Sequence, residues 1–110
     1  MNPFQLRELD AETTKRLVDA GEAVLIDVRE PAEHALERIP GVPLVPISAF
    51  DVERIRALAG GKAVVLHCAS GIRSARAAEA LHAAGLTDVA HLKGGLPTWR
   101  SAGLKTETRG

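Results

Sequence analysis

Cysteine is scarce in this chain and charge of one sign is not in excess, and each shortage removes a class of function. Cys68 is the single cysteine among 110 residues, so an internal disulfide and a cluster of metal-binding thiolates are both excluded. The thiol is then either inert packing or a reactive group. Its 14 basic residues balance 14 acidic ones, and no run of like charges marks a groove for nucleic acid or a face for a membrane. A long apolar run is missing from the start. Arg7, Glu8, Asp10, Glu12 and Lys15 interrupt residues 1–17, which leaves no secretory core and no membrane span there. A cytoplasmic location is the default expectation. Repeats, linkers and low-complexity stretches are also absent, and 110 residues suffice for one hydrophobic core but not two. A single domain over residues 1–110 is expected, ordered over about residues 4–103.

What is present is an alternation. Apolar runs suited to buried parallel strands recur at residues 23–28, 42–45, 63–66 and 89–92, separated by helical signals. The pattern predicts an α/β fold, a parallel sheet with helices on both faces. Residues 4–9 fit a short opening strand, and Asp10 fits the N-cap of a first helix that turns Leu17 and Val18 inward and stops at Gly21. Pro31 suits the first turn of a second helix; Ser48 suits the cap of a third, which carries Val52, Ile55 and Ala59 on one face. A fourth helix is expected from Arg73 or Ser74 to Gly85, aligning Ala77, Leu81 and Ala84. Trp99 fits the core side of a last short helix after a Gly94-Gly95 turn, and the polar residues 105–110 are expected to fray.

The chemistry concentrates in residues 64–74, where Cys68 stands at the carboxyl end of a buried strand, before a tight loop containing Gly71 and a helix start. Ligands of open α/β sheets bind at that end of the strands. The successive amides of Ala69, Ser70, Gly71, Ile72 and Arg73 can turn inward as an anion nest, and the helix dipole adds to their field. Such surroundings lower a cysteine pKa from about 8.5 to roughly 3.5–7.5. An ionised nucleophile is therefore expected without a histidine base. A buried cysteine acting as a small hydrophobe is the competing reading, and the strand-end position favours the reactive one. Ser70 and Ser74 can donate to a bound anion, although Ser74 fits equally as a helix N-cap. Asp27 and Arg29 end a neighbouring strand on the same sheet edge and are candidates to orient the loop or bind substrate. A structural ion pair or cap with Glu30 or Glu33 is the favoured reading of both. His67 adjoins the cysteine, but alternation points it to the opposite face. His34, His82 and His91 lack metal-ligand spacing and read as surface or satisfied core residues. No metal and no cofactor are expected.

The loop Cys68-Ala69-Ser70-Gly71-Ile72-Arg73 resembles that of the rhodanese family, whose active-site cysteine opens a six-residue loop between a parallel strand and a helix. Leu25-Ile26-Asp27-Val28-Arg29-Glu30-Pro31-Ala32-Glu33, followed by Ile39-Pro40-Gly41-Val42, resembles the family's upstream signature. Leu92-Lys93-Gly94-Gly95 followed by Trp99 resembles its C-terminal one. Three separated motifs in register span nearly the whole chain. The resemblance implies a rhodanese-like fold with a five-stranded, mostly parallel sheet. It also implies a sulfurtransferase that takes a sulfane sulfur from thiosulfate or a persulfide, holds it as a Cys68 persulfide, and passes it on. The acceptor would be a small thiol, cyanide or a sulfur-relay protein. Glu37 and Arg38 stand where the family commonly has Gly-His before Ile-Pro-Gly, and neither receives a role. Ala69 stands where some thiosulfate-using members carry a basic residue, which leaves Arg73 as the main side-chain charge of the loop. Two other classes compete. A cysteine phosphatase or arsenate reductase of related fold would have a loop resembling Cys-x5-Arg, whereas four residues separate Cys68 from Arg73. A non-enzymatic sulfur carrier or regulatory domain is the other, and the presence of Cys68 counts against the variety that lacks the cysteine.

Overall fold

Residues 4–109 are described by the structure, a computed structural model. Strands β1 (Glu8–Leu9), β2 (Ala23–Asp27), β4 (Ala63–His67) and β5 (Val89–Leu92) form one parallel sheet in the order β1-β5-β4-β2. Helices α1 (Ala11–Asp19), α2 (Pro31–Leu36), α3 (Val52–Ala59), α4 (Ile72–Ala83) and α5 (Leu96–Ser101) connect and cover them. A separate antiparallel pair joins β3 (Glu37–Arg38) to β6 (Glu107–Thr108).

Side-chain alternation along the strands sets the layers. Ile26, Val64, Leu66 and Val89 pack with Ile55 and Ala59 of α3 and with Ala77, Ala78 and Leu81 of α4. Ala23, Leu25, Val65 and Leu92 pack on the other side with Ala11 of α1 and with Leu96 and Trp99 of α5. Each fully buried aliphatic side chain contributes roughly 1.5–3 kcal/mol, and covering both faces is what a parallel sheet requires. Cys68 belongs to the α3 and α4 side. The alternation that sends it there sends its neighbour His67 to the other.

Several local expectations are corrected. The sheet has four strands rather than five, because the run at residues 42–45 makes a single bridge, Leu44 to Asp27. Pro43 and Pro46 flank that bridge and have no N–H to extend a ladder. Helix α3 is capped by Asp51, whose Oδ1 accepts from the Arg54 amide at 3.0 Å, not by Ser48, which lies in a 3-10 turn at Ile47–Ala49. Helix α4 begins at Ile72 with Gly71 as its cap, and Ala84 lies just past its end, exposed. The tail does not fray throughout: β6 pairs with β3, and Arg109 N–H donates to Leu36 O at 2.9 Å. Asp10 caps α1 as the sequence predicts, accepting from the Thr13 amide at 2.7 Å.

Candidate active site

Strand β4 delivers Cys68 to the end of the sheet with no exposed surface. Gly71, at φ +99°, then reverses the chain in a conformation that only glycine adopts at little cost. The reversal folds the first turn of α4 back over the sulfur. Gly71 N–H donates to Sγ at 3.0 Å and Ser74 N–H at 3.4 Å, while Ser74 Oγ lies 3.5 Å away. Burial pushes the thiol pKa up, but hydrogen bonds from the Ser74 hydroxyl and from the Ser74, Ser70 and Gly71 amides outweigh it and hold it below the ordinary thiol value. The amides acting on the sulfur are thus those of Ser70, Gly71 and Ser74, in place of an even run through residues 69–73. Ser74 is not the helix cap but a direct partner of the sulfur.

Arg73 closes the loop differently from the expectation. Its two Nη atoms fork onto the Glu33 carboxylate at 2.6 and 2.8 Å, and that bidentate bond holds the Glu33 pKa down to about 2. The guanidinium acts on Cys68 through its field. Asp27 and Arg29 do form a buried ion pair, but with each other rather than with Glu30 or Glu33. Arg29 Nη2 is 2.8 Å from Asp27 Oδ2, and Arg29 N–H also donates to Asp27 Oδ1 at 2.9 Å. His34 Nδ1 meets the same carboxylate at 2.8 Å, and Arg29 Nη2 donates to Glu37 O at 2.6 Å. Burial pulls the Asp27 pKa up; the bonds from Arg29 and His34 and the nearby His67 ring overcome it, leaving the carboxyl below its ordinary value. This cluster ties the end of β2 to β3 and to α2, the helix on which Glu33 stands.

With that geometry in view, the match to known proteins is direct. The sequence model of the rhodanese-like domain covers residues 10–102. This chain belongs to the rhodanese family. It is 34% identical over 100 residues to a sulfurtransferase of Allochromatium vinosum, covering 90% of this chain and 92% of that protein. An uncharacterised protein of Synechocystis is 38% identical over 95 residues, 86% of this chain and 52% of that one. The crystal structure of a thiosulfate sulfurtransferase from Pseudomonas aeruginosa superposes with a TM-score of 0.83 at 34% identity, covering 94% of this chain and 20% of that one. The chain therefore spans about half of the Synechocystis protein and a fifth of the Pseudomonas one. The fold is rhodanese-like, with helices on both faces of its parallel sheet.

In this rhodanese-like domain a cavity of about 230 Å³ opens beside Ala69, lined by Arg29, Leu36, Glu37, Leu96 and Arg100 among others. Its arginines are already paired, Arg29 with Asp27 and Arg100 with Glu37 at 3.2 Å. A larger hollow of about 450 Å³ lies between Asp10 and Gly94 and does not reach the loop. Among the described residues Leu36 and Ile72 are the exposed large apolar side chains, and Ile72 lies in the loop itself. No helix among the described residues is long and apolar enough to cross a membrane.

Two site features escaped the sequence reading. Gly95, read only as a turn, supports the Cys68 loop: Leu96 N–H donates to Cys68 O at 2.9 Å, and a Cβ on Gly95 would come within 2.5 Å of that oxygen. His91 is the satisfied core residue that the sequence reading allowed, buried with Nδ1 2.7 Å from Ser74 Oγ and Nε2 3.1 Å from Glu8 Oε2, and what escaped is its link to the Cys68 loop through Ser74. The Lys93-Gly94-Gly95 signature held the first signal; nothing in the sequence flagged the second. His67 behaves as alternation predicts. Both its ring nitrogens are buried without hydrogen-bond partners, and burial pushes its pKa down to about 4.

Proposed function

We propose that the chain is a sulfurtransferase that carries a sulfane sulfur on Cys68 as a persulfide. The observation that carries this reading is the convergence of the Gly71 and Ser74 amides and the Ser74 hydroxyl on one buried sulfur whose pKa is lowered in spite of its burial. Donors fixed in advance around a sulfur anion stabilise it with little reorganisation. In the first half-reaction the Cys68 thiolate attacks the sulfane sulfur of the donor. The donor S–S bond breaks and its electron pair leaves with sulfite, from thiosulfate, or with a thiolate, from a persulfide. In the second, an acceptor thiolate or cyanide attacks the outer sulfur, and Cys68 departs as the thiolate. No external oxidant or reductant enters either step.

Among donors, a persulfide fits better than thiosulfate. The cavity arginines and Arg73 are all engaged by carboxylates, and Ala69 brings no charge, so a sulfonate group finds no unpaired guanidinium at the cavity. The A. vinosum relative named a sulfurtransferase supports the transferase class, while the Pseudomonas structure carries the thiosulfate activity only in its own name. Intact-mass measurement after exposure to each donor tests the reading. The expected result is a gain of one sulfur atom that a reducing thiol removes and that Cys68→Ser does not acquire, faster from a persulfide than from thiosulfate. A folded wild type that gains no sulfur from either donor would overturn it.

A further inference from the structure

Ser74 Oγ carries one proton and touches three groups: Sγ of Cys68 at 3.5 Å, Nδ1 of His91 at 2.7 Å and the Gly71 carbonyl at 3.3 Å. Beyond His91, the Glu8 carboxylate stands 3.1 Å from Nε2. A carboxylate accepts and does not donate, so Nε2 carries a proton. Two arrangements then connect the row. In one, the thiol proton points at Ser74 Oγ, the Ser74 proton points at Nδ1, and Nε2–H donates to Glu8. In the other, each of the first two protons has moved one place: Ser74 O–H donates to a thiolate, Nδ1–H donates to Ser74 Oγ, and Nε2–H still donates to Glu8. The S–H bond breaks, the serine exchanges one O–H for another, and an N–H forms. One proton has passed from sulfur to imidazole.

We infer that His91 is the proton acceptor of Cys68, working through the Ser74 hydroxyl and oriented by Glu8, so that the thiolate is held beside an imidazolium–carboxylate pair. His91 is thus a positioning residue for the nucleophile, since Ser74 stands between them. The charged or titratable groups that meet this ring are Glu8 from β1 and, through Ser74 of α4, Cys68; on β4 its neighbour in register is the apolar Leu66. Arg73 acts on the sulfur from the far side of the loop and is itself paired with Glu33. The Glu8 side chain is 45% exposed, which links the buried row to solvent and gives the proton a way out. His67 marks the contrast: it is buried, adjacent to the cysteine in sequence, and without a hydrogen-bond partner.

The inference deepens the sulfurtransferase reading, and its test requires no sulfur donor. Cys68 is the only cysteine and the chain has no tyrosine, so the ultraviolet absorbance of thiolate, followed against pH, belongs to Cys68 alone. His91→Asn keeps an amide nitrogen or oxygen near the place of Nδ1 but cannot take up a proton. It is expected to move the thiolate midpoint upward by about one pH unit, equivalent to roughly ten-fold less thiolate at pH values below the midpoint. Glu8→Gln should move it in the same direction by less. Nitrogen NMR of the wild-type ring, at a pH where the thiolate is present, should show both His91 ring nitrogens protonated, and Cys68→Ser should remove the proton from Nδ1 at the same pH. A folded His91→Asn with the wild-type midpoint, or a neutral His91 ring in the presence of thiolate, would overturn the relay; the NMR arm decides even if the variant does not fold. Normal thiolate titration in a wild type that never gains sulfur would count against the transferase reading and leave the relay standing.

Discussion

Burial ordinarily pushes a thiol pKa up, and at Cys68 the net shift is downward because the donors of one helix turn are spent on a single sulfur. Cys68→Ser preserves size and removes only the atom able to form a persulfide. It should abolish sulfur uptake by mass spectrometry while leaving the circular dichroism spectrum and melting temperature near wild type. Arg73 contributes differently, since its fork onto Glu33 anchors the loop to α2. The pair is about one-third exposed, so its loss is worth roughly 1 kcal/mol, or about five-fold in rate. Arg73→Ala and Glu33→Gln should slow transfer to a similar extent, with Arg76→Ala close to wild type. A Glu33→Gln variant as fast as wild type would show that the Arg73 charge, and not the anchor, is what matters. Cys68 and its loop were legible in the sequence because strand end, glycine and helix start lie within consecutive residues. The link from Ser74 to His91 and Glu8 was not, because these residues meet only when β1, α4 and β5 are assembled in their observed register.

At the scale of elements, α5 does more than cover the sheet. Its first amide, at Leu96, holds the Cys68 carbonyl, and the glycine before it lets the two backbones approach. At Gly95, φ is +70° and a Cβ would press on the Cys68 and Ala69 backbone at 2.5–2.7 Å. Neither neighbour is the flexible end of a side chain. Gly95→Ala is therefore expected to cost about 2–4 kcal/mol in a denaturant titration, combining positive-φ strain with steric displacement of the loop. The surviving folded fraction should transfer sulfur more slowly than wild type. Loss of stability with unchanged turnover per folded molecule would mean that the loop tolerates the displacement. The strand count was misread for a related backbone reason: residues 42–45 have the apolar character of a strand, but the prolines at 43 and 46 leave too few N–H groups to build one. The pairing of β6 with β3 was invisible because two-residue strands of polar side chains carry no periodic signal.

For the molecule as a whole, the buried polar cluster around Asp27 sets how stability responds to acid. The folded chain holds His67 neutral with a pKa of about 4, against 6.5 in the unfolded chain. Between those values the unfolded chain binds a proton that the native state does not, so this contribution is complete above about pH 6.5, declines as pH falls, and is lost by about pH 4. Its size is roughly 3 kcal/mol. His67→Leu should flatten the urea midpoint across that interval and leave the variant more stable than wild type near its lower end. An unchanged slope would assign the acid sensitivity to other groups. The Asp27–Arg29 pair lies in the same cluster, with the Asp27 side chain wholly buried. Asp27→Ala leaves the Arg29 charge buried without its partner and should cost about 3–5 kcal/mol by the same measurement.

The placement of β1 against β5 has a consequence in time. Glu8 and His91 are 83 positions apart, and Arg7 reaches Asp88 across 81, so that edge of the sheet closes through separations spanning most of the chain and is expected to be slow to form. During synthesis from the N-terminus, Cys68 is made before the residues of β5 that complete its surroundings. On the relay inferred above, the sulfur has no proton acceptor until β5 has docked beside β1. The unfinished chain then carries a sluggish thiol, shielded from stray oxidants and electrophiles by its own protonation, and nucleophilicity switches on as the last sheet edge closes.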